Sequence, residues 1–183
     1  MLVMALALLA AAPDAHVAPP WRLDLPLALV AQAPTSGVDT RVVPWMGARA
    51  ARLLDHAPGE LLMLGGDVTG WLGIGPNEGT SAVKASRLAG ALEARGLLGV
   101  HALETATMGI RPYAYASALG GGAVLTLSVY DDSSMGLTPV WGLGCGAGIE
   151  IVAHLLSLRA ELGAGVRDGG FALSSTMAAG VAF

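Results

Sequence analysis

Residues 171–183 read FALSSTMAAGVAF, Phe171 to Phe183, and their alternation sets the fold. The odd positions are Phe171, Leu173, Ser175, Met177, Ala179, Val181 and Phe183, mostly large and apolar. The even positions are Ala172, Ser174, Thr176, Ala178, Gly180 and Ala182, all small or hydroxylated. A period of two is the signature of a β-strand, because successive side chains point to opposite faces. The run is far longer than the usual strand of about 5–6 residues. Its large face needs a cover.

The pattern repeats upstream. Leu156, Leu158, Ala160, Leu162, Ala164 and Val166 alternate with Ser157, Arg159, Glu161, Gly163 and Gly165, which confines charge to one face. Arg167-Asp168-Gly169-Gly170 supplies a turn between the two runs. Trp141, Leu143, Cys145, Ala147, Ile149 and Ile151 alternate with Gly142, Gly144, Gly146, Gly148 and Glu150, so the glycine face is crowded. Cys145 is expected to be a buried small hydrophobe. Val152-Ala153-His154 reads as a short connection, and Asp131–Gly136 as a polar loop. Trp21 to Val30 also alternates, with Pro26 suited to an edge or bulge. Residues 62–74 set Leu62, Leu64, Val68, Leu72 and Ile74 against Met63, Asp67, Thr69 and Trp71.

Pro112 to Tyr130 is uncharged and close to the roughly 20 residues of a membrane helix. Gly120-Gly121-Gly122 at its centre weakens a helix, so it reads as two strands about a tight glycine turn. Ala94-Arg95-Gly96 reads as a further turn, as do Thr35–Asp39, Asp55–Gly59 and Pro76–Ser81. Residues 41–54 suit a strand or a short helix. Residues 82–95 are rich in helix formers but also alternate, with Arg87 and Glu93 opposite Leu88 and Leu92. The sum is about ten strands joined by short turns, and an all-β fold.

Two arrangements cover the apolar faces. In a soluble sandwich or lipocalin-like barrel the large residues point inward. In a membrane barrel they point outward into lipid, and the small and charged face lines the lumen. The chain has 183 residues, 54% hydrophobic and 13% charged, with 26 Gly and a single Lys, Lys84. A face of Gly, Ala, Ser and Thr with a few Arg and Glu suits a narrow lumen better than a water-facing surface. Only helices and closed barrels span a bilayer, because every backbone polar group must be satisfied internally. The expected architecture is a closed antiparallel up-and-down transmembrane β-barrel of eight to ten strands. Arg22, Glu150, Arg159 and Glu161 are expected to pair inside it. Trp21, Trp71, Tyr113, Tyr115, Tyr130 and Trp141 are candidates for the aromatic girdles at the membrane interfaces.

The same composition excludes several functions. A net charge of −4 gives no basic footprint for nucleic acid. One cysteine excludes an internal disulfide and a cysteine-built metal site. His16, His56, His101 and His154 share no metal-ligand spacing. The glycine-rich stretches near Gly70 and Gly142 open no helix, so neither cradles a nucleotide. No cofactor or metal is expected.

The last strand resembles the assembly signal of bacterial outer-membrane β-barrels: Thr176, Ala178 where glycine is usual, Val181 and the terminal aromatic Phe183. Leu2 to Ala12 form an uncharged apolar run followed by small residues and proline, as in an export signal, although a buried N-terminal helix would share that composition. The resemblance implies an export signal over residues 1–18 and one barrel over residues 19–183. It implies insertion into the outer membrane by the barrel assembly machinery, with both termini periplasmic and membrane lipid as partner. The role implied is a structural or surface component or a narrow pore, without catalysis. Alternatives are a soluble periplasmic barrel for a small apolar ligand, and a rim hydrolase using His101, Glu104, Asp131, Asp132, His154 or Ser157.

Overall fold

The computed structural model describes residues 21–33, 41–54, 62–75, 78–79, 83–105, 108–129 and 132–183. Eight long strands run through them: β1 Trp21–Ala33, β2 Arg41–Leu53, β3 Leu62–Ile74, β4 Val83–Val100, β5 Met108–Val129, β6 Asp132–Ala153, β7 Leu156–Arg167 and β8 Gly170–Ala182. Two short pieces, Glu78–Gly79 and Leu103–Glu104, extend the ladders of β4 and β5. Each long strand pairs antiparallel with its sequence neighbour, and β8 returns to pair with β1. Every strand therefore has a partner on both sides in the wall, and the sheet has no edge there.

The register fixes the shape. One path round the ring links Leu23 to Ala50, Val68, Ala94, Ala118, Leu143, Val166, Phe171 and back to Ala33. It returns to β1 displaced by 33 − 23 = 10 residues, which is the shear of the barrel. Eight strands at that shear tilt by about 40° from the axis. At about 3.3 Å per residue, the wall from Phe171 to Phe183 is then about 30 Å tall, the thickness of a hydrocarbon core.

The two faces separate cleanly. Leu158 is 56% exposed and Leu162 69%, while Arg159 is 4% and Glu161 3%. The same alternation runs along β1, where Leu23, Leu25, Leu27 and Leu29 point out and Arg22, Asp24, Ala28 and Val30 point in. The apolar surface faces outward, as a wall in lipid requires. A soluble barrel would carry the opposite arrangement.

Several turns expected from sequence are strand interior. Gly120–Gly122 lies within the continuous β5, in register with Gly90, Ala91 and Leu92 on one side and with Pro139, Val140 and Trp141 on the other. The glycines mark a close approach instead, since a Cβ on Gly121 would lie 2.6 Å from the Ala91 Cα. Ala94-Arg95-Gly96 is also mid-strand, paired with β3 and β5. Residues 132–136 belong to β6 rather than to a loop, paired with Leu125–Val129. The ambiguous segment 41–54 is a strand through Leu53, and 83–95 is a strand too. Thr35–Asp39 and Asp55–Gly59 lie outside the described residues, as do residues 1–18 of the expected export signal. Of Pro76–Ser81, the piece Glu78–Gly79 is strand and the rest lies outside them. The turns at His154 and at Asp168-Gly169 are present, with positive φ of 54°, 51° and 81°. Cys145 is exposed on the outer wall, not buried, because its face points to lipid.

β5 and β6 outrun their neighbours. β6 is laddered to β7 only from Gly142 onward. Among the described residues, 132–140 pair with β5 alone, so a flap of β4, β5 and β6 continues past the wall with the outer edge of β6 unpaired there.

Candidate functional site: the charged lumen and the flap

Inward positions of seven strands bring arginines and carboxylates to one level of the lumen. β1 contributes Arg22 and Asp24, β2 Arg49, β3 Asp67, β4 Arg95, β5 Arg111, β6 Glu150, and β7 Arg159 and Glu161; all are buried. They form two hubs. Glu150 accepts from Arg22 Nε at 3.1 Å, Arg111 Nη1 at 3.4 Å, Arg159 Nη2 at 3.0 Å and Ser157 Oγ at 3.2 Å. Glu161 accepts a two-pronged bond from Arg49 at 2.7 and 3.1 Å, one from Arg95 Nη1 at 2.9 Å and one from Tyr113 OH at 2.6 Å. Asp67 joins the hubs, taking Arg95 Nε at 2.8 Å and lying 3.8 Å from Arg159 Nη1. Asp24 lies 3.4 Å from Arg159 Nε. Five arginines meet four carboxylates, so each charge has counter-charge near it.

Of the four residues expected to pair, Arg22 and Glu150 bond directly. Arg159 and Glu161 turn to different partners. Arg159 sits directly across the ladder from Glu150. Direct cross-strand neighbours are about 5 Å apart, closer than residues two apart on one strand. Sequence reasoning missed Asp24, Arg49, Asp67, Arg95 and Arg111. Their inward parity was the available signal, and for Arg95 the turn assignment hid it.

Aromatic rings fill the rest of the lumen, and this corrects three girdle assignments. Trp71, Tyr113 and Tyr115 are buried inside, as is Trp45. Each stands directly opposite a glycine in the ladder: Trp45 on Gly73, Trp71 on Gly47, Tyr113 on Gly148 and Tyr115 on Gly146. A Cβ on Gly146 would lie 2.5 Å from the Tyr115 hydroxyl, and one on Gly148 2.8 Å from the Tyr113 ring. The ring takes the volume the glycine leaves. Trp71 donates to Glu93 at 2.7 Å, and Arg167 stacks 4.6 Å from the Trp45 ring. Trp45 and Trp71 pack with Ala28, Val30, Leu119 and Val140 as an apolar layer beyond the charged one. A recess of about 60 Å³ by Glu93, Ser117, Arg167 and Ser174 has room for a few waters. Trp21 and Trp141 do face outward, at opposite ends of the wall; Tyr130 lies outside the described residues.

The hydrolase candidates divide between the two ends of the barrel, with His154 in the β6–β7 turn at the Phe183 end. His101 follows β4 at the end of the barrel that carries Phe183, whereas Asp132 is on the flap at the other end. Ser157 is buried and bonded to Glu150. Asp131 and the Glu104 side chain lie outside the described residues. Among the described residues no cluster of His, Cys, Asp or Glu could hold a metal.

The flap is apolar. Met135 is 78% exposed and Leu137 83%, the most exposed large apolar side chains among the described residues. Val124, Leu125, Leu127 and Val129 are exposed beside them.

No protein-family model matches the sequence, and no curated protein matches it. Solved structures do match. The attachment invasion locus protein Ail of Yersinia pestis superposes with a TM-score of 0.56 at 12% identity, over 91% of this chain and 99% of that one. Ail in complex with the heparin analogue sucrose octasulfate gives 0.57 over the same shares at 12% identity. Neisserial surface protein A covers 88% of this chain and 95% of its own at 15% identity, with a TM-score of 0.49. The fold of this chain is that of the small bacterial outer-membrane β-barrels.

Proposed function

We propose that the chain is a bacterial outer-membrane barrel that acts through its surface, with a lumen sealed against conduction. The carrying observation is the pairing of a filled lumen with an apolar flap. Five arginines and four carboxylates are gathered across the barrel axis at one level, and an apolar aromatic layer lies on top. The flap stands on the side away from Phe183, which is the outside of the cell if Phe183 is periplasmic. There it holds Met135 and Leu137 in water, next to a strand edge that has no ladder partner among the described residues. Large exposed apolar groups of that kind mark interaction sites, and a free edge accepts an added strand. The β5 and β6 strands of the flap expose apolar side chains beside Asp132, and on β4 Arg87 is already paired with Asp168, so the partner we assign is a protein segment rather than a sulfated sugar of the sort bound to Ail. Thr176, Ala178 and Val181 on β8, with Phe183 after it, serve as the signal read by the assembly machinery. Catalysis has no part in this reading.

Fractionated cells should hold the full chain in the outer membrane, with a gel mobility that shifts on boiling. In planar bilayers it should be electrically silent. Recovery from the soluble periplasm, or steady ion conductance, would contradict this reading.

A further inference from the structure

Between its two aromatic levels the outer wall is largely apolar. Among the described residues there, Arg52 alone puts a charge on the outer face, and it is exposed. It stands directly across the ladder from Trp21 and stacks 5.2 Å from that indole ring. Trp21 is fixed in turn by two 3.0 Å backbone bonds to Phe183. The pair therefore sits at the rim of the wall. A guanidinium costs about 2–4 kcal/mol at the middle of a bilayer and little near the interface, so this rim lies at headgroup depth.

The indole holds the Arg52 guanidinium carbon 5.2 Å from its ring centroid. Among the described residues no carboxylate pairs with Arg52, and no hydrogen bond uses its N–H groups. Those donors form a planar fork that matches two oxygens of a phosphate. Tryptophan holds its place at the same depth with its ring in the interface.

We propose that Arg52 and Trp21 form a clamp for the phosphate of a membrane phospholipid on the leaflet that faces Phe183. This rests on the membrane-spanning reading given above. The lipid phosphodiester docks on the guanidinium edge, its acyl chains run along Leu23 and Ala50, and the indole fixes the rotamer of Arg52. The clamp sets the depth and tilt of the barrel on that side.

The test uses the folded full chain in detergent, read by native mass spectrometry. Three probes are compared: phosphatidylglycerol, the phosphate-free dioleoylglycerol, and inorganic phosphate. The wild type should retain phosphatidylglycerol about ten-fold more than dioleoylglycerol, and Arg52→Gln should erase that margin. Trp21→Leu should lose part of it, and Arg41→Gln, at the opposite rim, none. Equal retention by Arg52→Gln and wild type would overturn the clamp. Inorganic phosphate binding as tightly as the lipid would overturn the lipid as its occupant. The boiling shift of the same samples reports the barrel separately. A wild type without that shift would remove the membrane reading and the clamp together, whereas an intact shift with unchanged lipid retention removes the clamp alone.

Discussion

Tyr115 opposite Gly146 shows how side-chain volume is matched one ladder position at a time. Gly146→Val would drive a branched side chain into the tyrosine. Overpacking of this kind costs about 1–3 kcal/mol, and denaturant unfolding from lipid vesicles should show it as a lower midpoint. Adding Tyr115→Ala should restore part of the loss, because the two positions share one space. A double variant no more stable than Gly146→Val would refute the pairing. Glu150→Gln strips counter-charge from Arg22, Arg111 and Arg159 at once. Breaking a buried pair costs about 3–5 kcal/mol, so its unfolding midpoint should fall further than that of an outward change such as Leu158→Ala. Such pairings were only half legible in the sequence. The parity of Arg159, Glu161 and Glu150 is plain within their own strands. Which acid meets which base depends on the cross-strand register, and no single strand carries that. Trp71 was legible as inward from Asp67 and Thr69 beside it, yet an aromatic in a membrane barrel also suits a girdle. Its glycine partner lies a whole strand away.

Strand length separates wall from flap. β7 and β8 alternate without interruption, and their limits could be read from Asp168-Gly169 and from Phe183. β5 could not be read so. Three glycines in succession are the usual punctuation of a turn, but here both neighbouring ladders satisfy their backbone groups and the chain passes straight through. They stand where β6 parts from β7, since Leu119 is paired with Gly142. The same misreading cut β4 at Arg95. The flap should be separable from the barrel in function. Leu137→Asp, or replacement of residues 124–137 by a two-residue turn, should leave the boiling shift intact and abolish capture of a surface-bound protein partner. Loss of the shift in both variants would instead make the flap part of the folding unit.

For the whole molecule the decisive property is which face meets hydrocarbon. Alternation, scarce lysine and abundant glycine pointed to an outward apolar face, and the ring closed at a shear of ten delivers it. Strand number was less legible, and the expected eight to ten narrows to eight, because it depends on which glycines turn and which do not. The four tryptophans test the orientation most directly. Single-tryptophan variants of the full chain, refolded into vesicles with brominated acyl chains, report contact with lipid by fluorescence quenching. Trp21 and Trp141 should be strongly quenched, and Trp45 and Trp71, behind their glycines, should remain bright. Strong quenching of Trp45 and Trp71 with Trp21 and Trp141 unaffected would turn the barrel inside out and contradict the account.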